Sequence, residues 1–263
     1  RAGGGDELVG EEVVEAVPSI ERVVVVPYAN AHPDVRDIPG ALLYEDFLNL
    51  GRDGEIVFEQ VPFSHPVYIM FSSGTTGKPK CMVQSVGGIL INQMKELILQ
   101  ADLKREDRII YMTAPSWMMW NWLIASLSIG SRIVLFDGNP GYPDVGAMWR
   151  LVDDEKITIF GTSATYINML KGQGYRPMDH FDLSSLREIC QTGSPLSGDG
   201  FEFVYRAIKE DVHFNSISGG TDINGCFAAG SPTLPVYAGQ LQAPALGMKV
   251  KAYDEKGNAV YDK

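Results

Sequence analysis

The sequence predicts an α/β fold in which parallel strands are joined by crossover helices. Short apolar runs rich in Val and Ile alternate with longer segments of helical period, and this alternation is typical of βα units. Hydrophobic residues make up 45% of the 263 residues, which is ordinary for a protein with a buried core. After about residue 230, short alternating runs predict the start of a β-rich region, either an antiparallel sheet or a small barrel.

Seven segments have the β-branched content of strands in a sheet that is covered on both faces. They are Arg22 to Val26, Val67 to Phe71, Arg108 to Thr113, Arg132 to Phe136, Ile157 to Phe160, Leu186 to Cys190 and Val212 to Ile217. Two intervening segments carry apolar residues at i, i+3, i+4 and i+7, which predicts helices with one buried stripe. The stripes are Val145, Met148, Trp149 and Val152, and Phe201, Val204, Tyr205 and Ile208.

The charge of the chain argues against two broad classes of partner. With 33 acidic and 22 basic residues, the net charge is -11, whereas general nucleic-acid binders and membrane-surface binders need basic patches. An anionic substrate must therefore be held by local hydrogen-bond donors. No stretch approaches the roughly 18 to 20 apolar residues of a membrane span.

The cysteines and histidines predict neither a disulfide framework nor a metal site. Cys81, Cys190 and Cys226 lie far apart without a C-x-x-C spacing, which favours the reducing cytoplasm. The four histidines are equally scattered, and we interpret each as a surface residue or a satisfied core residue.

The most informative segment is a glycine-rich loop that follows a predicted strand. It consists of Ser72, Ser73, Gly74, Thr75, Thr76, Gly77, Lys78, Pro79 and Lys80. Small residues let the backbone approach an anion, and the hydroxyls, the amides and two lysines can all donate to phosphate oxygens. A bare run of Gly, Ser and Thr is more often a polar hairpin, but the complete string behind a strand favours a triphosphate-binding loop.

This loop departs from the Walker A pattern. That pattern needs a Gly five residues before the Gly-Lys pair and a Ser or Thr after the Lys, and these positions hold Ser72 and Pro79 here. Pro79 also lacks the backbone donor that such a loop presents where it enters its helix. A P-loop phosphohydrolase is therefore disfavoured.

The loop resembles the phosphate loop of the adenylate-forming superfamily, which includes acyl-CoA ligases, luciferases and peptide-synthetase adenylation domains. Four further segments resemble those of acetoacetyl-CoA synthetases, and the likeness covers nearly the whole chain, with the first sixty residues weakest. These segments are Trp117 to Trp122, Phe160 to Ala164, Thr192 to Leu196 and Ser218 to Ile223. The resemblance implies part of the large N-terminal domain of an enzyme that converts acetoacetate to acetoacetyl-adenylate with ATP and Mg²⁺, and then to acetoacetyl-CoA with coenzyme A.

The resemblance also implies roles for individual residues. Thr221 and Asp222 are the implied catalytic pair, with Thr221 on the α-phosphate and Asp222 on the metal. The implied phosphate-binding residues are Ser72, Ser73, Gly74, Thr75, Thr76, Gly77, Lys78 and Lys80. The implied adenine-binding residues are Gly193, Ser194 and Pro195. The implied acid pocket consists of Trp117, Met118, Met119, Ser218, Gly219 and Gly220.

Several positions qualify this assignment. Taken alone, the segments at Gly193 and at Ser218 to Asp222 are ordinary turns, and Trp120 and Trp122 fit a plain core. Acetyl-CoA synthetases carry a bulky Trp pair at the positions of Ser218 and Gly219, so small residues here imply a deeper pocket that suits a four-carbon acid. Departures from the pattern bear on the exact acid. They are Gln84 and Val86, Ala114 to Ser116, Asp222 in place of the usual Glu, and Gln240.

Under the resemblance the chain has three parts. Residues 1–98 belong to a first α/β subdomain with the phosphate loop, residues 99–230 form a second α/β subdomain with the adenine, acid and magnesium sites, and residues 231–263 begin a β-rich subdomain. The family's C-terminal lid domain lies beyond Lys263, so we expect these 263 residues alone to turn over poorly. A missing charge-stabilising donor typically costs a factor of about 100 to 1000.

Two alternatives stay open from the sequence. One is a ligase or adenylation domain that acts on another small acid, and the other is a nucleotide-binding module without catalysis. The resemblance implies a small carboxylic acid, ATP and coenzyme A as partners, and the net charge argues against nucleic acid and membrane. The oligomeric state stays open from the sequence.

Overall fold

The structure is a computed structural model that describes residues 12–28, 30–51, 54–72 and 78–260. The chain divides into two compact units, Arg1–Gln60 and Val61–Lys263. In the first unit, residues 12–16 are helical, β1 (Val23–Val25) pairs in parallel with β2 (Ala41–Leu43), and α1 (Tyr44–Leu48) follows β2. The boundary predicted at residue 98 falls within a helix, one residue before its end at Leu99.

The second unit begins with an antiparallel hairpin. Strand β3 (Pro66–Ser72) pairs with β4 (Lys80–Ser85), Ser72 lies opposite Lys80, and α2 (Val86–Leu99) follows. The strand predicted at Val67 to Phe71 is therefore present, but it lies outside the parallel sheet. The glycine-rich loop joins two strands, so Pro79 precedes a strand and not a helix.

A five-stranded parallel sheet forms the centre of the second unit, in the order β6-β5-β7-β8-β9. Its strands are β5 (Arg108–Tyr111), β6 (Arg132–Ile133), β7 (Ile159–Ser163), β8 (Glu188–Thr192) and β9 (His213–Ser216). All five correspond to predicted strands, with ends that differ by up to three residues. The α/β prediction with parallel strands and crossover helices is confirmed.

Alternate residues of this sheet enter two separate cores, because successive side chains of a strand point to opposite faces. Ile110, Phe160, Ile189 and Phe214 face one core, together with α4 (Ala147–Asp154), α5 (Ala164–Gly172) and α6 (Gly198–Phe203). Ile109, Tyr111, Ile159 and Cys190 face the other core, with α2 and α3 (Met118–Ala125). Single 3₁₀ or π turns lie at Ser126–Ile129, Pro177–Asp179 and Val204–Ile208.

The two predicted helical stripes are buried as expected. Met148, Trp149 and Val152 are at most 1% exposed, and Phe201, Val204 and Ile208 are at most 2% exposed. The second stripe continues from α6 into the π turn, so one apolar face spans both elements.

Short antiparallel strands follow the parallel sheet. A three-stranded sheet contains β10 (Ser218–Gly220), β11 (Gly225–Ala229) and β12 (Ala243–Pro244), and a hairpin contains β13 (Ala252–Tyr253) and β14 (Ala259–Val260). The hairpin closes at a turn between Tyr253 and Ala259, where Gly257 adopts a φ of 80°. Within the described ranges, the search for an apolar helix of membrane-spanning length finds none.

Candidate active site

The first part of the candidate site is the turn after β8. Gly193 has a φ of 99°, a conformation that glycine tolerates and L side chains rarely adopt. Two side chains hold the turn in place. Gln191 Nε2 donates to Ser194 O at 2.8 Å, and Thr192 Oγ1 donates to Ile217 O at 2.9 Å. The ends of β8 and β9 are thereby fixed to each other beside an open space, where ligands of parallel sheets collect.

That space is a cavity of about 340 Å³. Its lining includes all three residues of the predicted adenine segment, Gly193, Ser194 and Pro195, and the opposite wall is Gly239 to Leu241. Ser218, predicted in the acid pocket, also lines this first cavity. A cleft with backbone amides on one side and Leu196, Phe201 and Leu241 elsewhere suits a flat, weakly polar ring such as adenine.

A second cavity of about 530 Å³ adjoins the first, and both are lined by Thr192, Gly193, Ile217 and Gly219. It brings together the other five residues predicted for the acid pocket, Trp117, Met118, Met119, Gly219 and Gly220, as well as Thr221. Ile69, Met70 and Phe71 of β3 complete the wall. Trp117 is 65% exposed whereas Trp122 is 1% exposed, so the first is a wall residue and the second is core, as predicted for Trp122.

The phosphate loop begins where β3 reaches this second cavity. Ser72 and the exposed Lys78 and Lys80 flank the loop, and they place two positive charges there in a chain of net charge -11. The predictions for Ser73, Gly74, Thr75, Thr76 and Gly77 lie outside the described residues. Because Phe71 and Thr221 line one cavity, the end of β3 and the Thr221 segment lie at the same end of the second unit.

Polar side chains of β4 and α2 fix the segment that carries Thr221 and Asp222. Gln84 Nε2 donates to Thr221 O at 2.9 Å, and Gln84 Oε1 accepts from Asn224 Nδ2 at 2.8 Å. Gln93 Nε2 also donates to the Asn224 side chain at 3.1 Å. Asn224 is fully buried and has a φ of 47°, so this turn is held by three buried amide groups. Sequence reasoning recorded Gln84 only as a departure from the family pattern.

The buried carboxylate of Glu96 extends this set of contacts along α2. It accepts from the Cys226 amide at 2.9 Å and from Trp122 Nε1 at 3.1 Å. Gln93 and Glu96 of α2 and Gln100 directly after it are buried polar residues at i, i+3 and i+7. That spacing was a signal that sequence reasoning missed.

Gly219 is small because the backbone of β11 approaches it closely. A Cβ atom at this position would lie 2.3 Å from Gly225 O. The sequence-based argument attributed the small residue to pocket depth, and the structure adds this second cause, the pairing of β10 with β11.

We expect Gly219→Ala to destabilise the protein by about 1–3 kcal/mol, because the backbone must shift to admit the methyl group. Urea unfolding followed by circular dichroism would measure the change. Gly172→Ala is the matched control, since no atom lies within 4 Å of a Cβ there, and it should be neutral or slightly stabilising. Equal midpoints for the two variants would contradict the steric explanation.

Asp222 is exposed, and among the described residues its carboxylate has no hydrogen-bond or ion-pair partner. Its neighbour Gly220 lines the second cavity, and a Cβ on Gly220 would lie 3.5 Å from Asp222 Oδ2. Across the described parts of the chain, no cluster of three or more metal-binding side chains is found. An exposed carboxylate without a partner among the described residues fits Mg²⁺, which is usually held by one or two carboxylates together with substrate phosphates.

The two buried cysteines are unsuited to covalent catalysis. Burial raises the pKa of the Cys190 thiol and of the Cys226 thiol, and a nearby carboxylate adds to each shift. Both therefore stay protonated, whereas the nucleophile would be the thiolate.

Comparison with known proteins agrees with this geometry. A model of the AMP-binding enzyme family matches residues 9–263. The acetoacetyl-CoA synthetase of Danio rerio is 46% identical over 257 residues, covering 95% of this chain and 38% of that protein. The malonamoyl-CoA synthetase of Penicillium aethiopicum is 39% identical over 267 residues, covering 94% of this chain and 37% of that protein.

A solved structure gives the same result. The acetoacetyl-CoA synthetase from Streptomyces lividans matches with a TM-score of 0.86 at 41% identity, covering 96% of this chain and 38% of that one. This chain thus spans 38% of the length of the Danio rerio relative. Because the family model extends over nearly all of its residues, the chain belongs to the family of AMP-binding enzymes.

Proposed function

We propose that the protein carrying this chain activates a short β-carbonyl carboxylic acid, acetoacetate foremost, as an acyl-adenylate and then transfers the acyl group to coenzyme A. The observation that carries the proposal is the pair of cavities that meet at Gly193 and Gly219. One suits adenine, the other suits a small acid, and Thr221 lines the second together with Phe71 at the end of β3.

The names of the relatives support one class of acid. The acetoacetyl and malonamoyl groups both carry a carbonyl at the β position, and they differ by a methyl group in one and an amino group in the other. The two acids therefore have nearly the same shape. Met118 and Met119 are unbranched and adaptable, which suits a pocket for this shape.

The reaction proceeds in two displacements. A carboxylate oxygen of the acid attacks the α-phosphorus of ATP, the bond to the bridging oxygen breaks, and pyrophosphate leaves. The thiol of coenzyme A then attacks the acyl carbon and loses its proton, and AMP leaves. Such steps are accelerated by alignment and by charge neutralisation.

The chain's own residues take the following parts in this proposal. Thr221 donates its hydroxyl to the α-phosphate, and Gly193 to Pro195 contact the adenine ring through the backbone. Ser72 to Lys80 hold the β- and γ-phosphates through amides, hydroxyls and two lysines. Asp222 would hold Mg²⁺, which supplies charge neutralisation when it is bound.

The test is acid-dependent exchange of labelled pyrophosphate into ATP by the intact protein. We expect acetoacetate and malonamate to support exchange and acetate to support much less. Exchange with acetate alone would overturn the acid class. Hydrolysis of ATP without any acid would instead indicate a phosphohydrolase, and equal calorimetric affinity for ATP and an acyl-sulfamoyl adenosine would indicate a binding module without catalysis.

We also propose that the protein works in a reducing compartment such as the cytoplasm. Cys81, Cys190 and Cys226 are all free thiols, which supports that setting.

A further inference from the structure

A buried ion pair lies at the amino ends of β8 and β9. Glu188 and His213 are opposite each other in the parallel pairing, and His213 Nδ1 lies 3.1 Å from Glu188 Oε2. The Glu188 side chain is 1% exposed and that of His213 is 18% exposed. Glu188 Oε1 also accepts from Asn215 Nδ2 at 2.9 Å and from the Cys190 thiol at 3.1 Å.

The other ring nitrogen of His213 reaches the segment between β11 and β12. His213 Nε2 lies 2.9 Å from Gln242 Oε1, which also accepts from the Ser231 amide at 3.1 Å. Glu188 as a carboxylate can only accept, and so can Gln242 Oε1, so both ring nitrogens must donate. His213 is therefore an imidazolium in this arrangement.

Gln242 closes a loop of the chain on itself. Its Nε2 donates to Ser231 O at 3.1 Å and to Leu234 O at 2.9 Å, so one amide joins both ends of residues 231–242. Asn215 holds the start of the same loop, because its Oδ1 accepts from the Gly230 amide at 2.6 Å. Glu188 is thus connected to the loop by hydrogen bonds through His213 and through Asn215.

The loop ends in a wall of the first cavity. Gly239, Gln240 and Leu241 line it opposite Gly193, and Gln242 is the next residue. Gly239 packs on the start of α6, where its Cβ position lies 3.5 Å from the Gly198 amide nitrogen. The wall is therefore supported by α6 on one side and by Gln242 on the other.

We propose that Gln242, held by the Glu188–His213 ion pair, is a positioning residue that sets the distance between the Gly239–Leu241 wall and the adenine-binding turn. This inference rests on the proposed function for the identity of the ligand. In this proposal the ion pair does not contact the nucleotide. It affects nucleotide binding only by fixing the position of the Gly239–Leu241 wall.

The charge of His213 makes the positioning dependent on pH. Burial lowers the pKa of His213, but the hydrogen bond and charge of Glu188 outweigh burial, and the net pKa is raised above 6.5. Arg187, which directly precedes β8, opposes the shift, and the loop 230–242 faces His213 with no charged side chain. The Nε2 donor is thus fully present below pH 6.5 and is lost as the pH rises through the higher folded value.

The experiment compares steady-state constants of the intact wild-type protein and its Gln242→Leu variant in the acid-dependent exchange assay. We expect the KM for ATP to rise roughly three- to tenfold, as for loss of a net stabilising hydrogen-bond set. The KM for the acid and kcat should stay within about twofold, because adenine contacts serve ground state and transition state alike. Ser185→Ala, which removes a hydrogen bond to Ile157 O at the same sheet edge, should leave the KM for ATP unchanged.

The pH dependence separates positioning from a general loss of structure. The ratio of the variant and wild-type KM values for ATP should be largest near about pH 6 and shrink toward about pH 9, where the wild type has lost the same donor. The His213→Gln variant has no titratable ring at this position. Its KM for ATP should therefore be elevated and should lack the pH dependence that His213 gives to the wild type. A constant ratio, or equal changes in both KM values and kcat, would overturn the inference.

The two proposals fail in distinguishable ways. If the intact wild type shows no acid-dependent exchange, the proposed function is wrong, and calorimetric titration with ATP still tests the wall. Weaker ATP binding by Gln242→Leu than by Ser185→Ala would then support the positioning role, and equal binding would refute it.

Discussion

Asp222→Asn should lower kcat of the intact protein by about 100-fold or more, which is the usual cost of removing one group that neutralises transition-state charge. The amide keeps the size of the side chain and loses its negative charge, so Mg²⁺ would lose the carboxylate that is proposed to hold it. Asp222 is exposed and supports no hydrogen bond among the described residues, so the fold should be unaffected.

Two further variants test whether the loss of kcat depends on the negative charge at position 222. Asp222→Glu keeps the carboxylate that most of the superfamily uses here and should retain far more activity than the amide. Asp254→Asn makes the same change in an exposed turn, where the carboxylate accepts from two backbone amides and from the Asn258 side chain, and it should leave kcat unchanged. Rates from pyrophosphate release decide the matter, and an Asp222→Asn enzyme within a few-fold of wild type would contradict the metal role.

The parallel sheet could be predicted because its signals are local. Four of its five strands contain β-branched residues, and the stripe around Trp149 predicts one helix by spacing alone. The end of β6 was predicted too far along, since the run continues to Phe136 but the pairing with β5 stops at Ile133. Apolar composition alone does not determine where a partner strand ends.

The hairpin and the polar contacts could not be predicted in the same way. Val67, Ile69 and Phe71 have the composition of a covered strand, yet in β3 they are 43% to 65% exposed. The partners of Gln84 and Gln93 lie more than 130 residues away along the chain, and those of Gln242 include a histidine 29 residues away. Contacts at such separations depend on topology, which no local pattern encodes.

The candidate site likewise contains some parts that local motifs predict and others that depend on contacts between distant residues. Gly193 and the glycine-rich loop are recognisable as short motifs, and the fold brings Gly193, Trp117 and Thr221 around one cavity. In the wall at Gly239 to Leu241, the sequence showed only Gln240, as a departure from the family pattern. It belongs to the site only because a side chain on β9 and a loop after β11 meet.

Replacing Glu96 with Ala should give the largest loss of stability in this protein, about 3–5 kcal/mol. The carboxylate is 1% exposed and serves the Cys226 amide of β11, Trp122 Nε1 of α3 and, at 3.4 Å, Lys95 Nζ. Without it, two buried donors lose their acceptor and one half-buried ammonium loses its counter-charge. Each unsatisfied donor costs its full desolvation penalty.

Thermal and urea unfolding of Glu96→Ala, Glu96→Gln and Glu202→Ala would measure this cost. Glu202 forms an exposed ion pair with Arg206 at 3.3 Å, and such pairs contribute little, so its variant should lie close to wild type. Glu96→Gln keeps one acceptor oxygen and should fall between the two. Equal midpoints for Glu96→Ala and Glu202→Ala would contradict the assignment.

The same carboxylate connects stability to activity, because Cys226 lies four residues after Asp222. The turn between them is already held by Gln84 and Gln93 through Asn224, so loosening β11 removes its second support. Activity of Glu96→Gln should therefore fall at temperatures below its unfolding midpoint, whereas Glu202→Ala should lose activity only as it unfolds. Coincident loss of activity and structure in both variants would show that α2 supports the fold but not the position of Asp222.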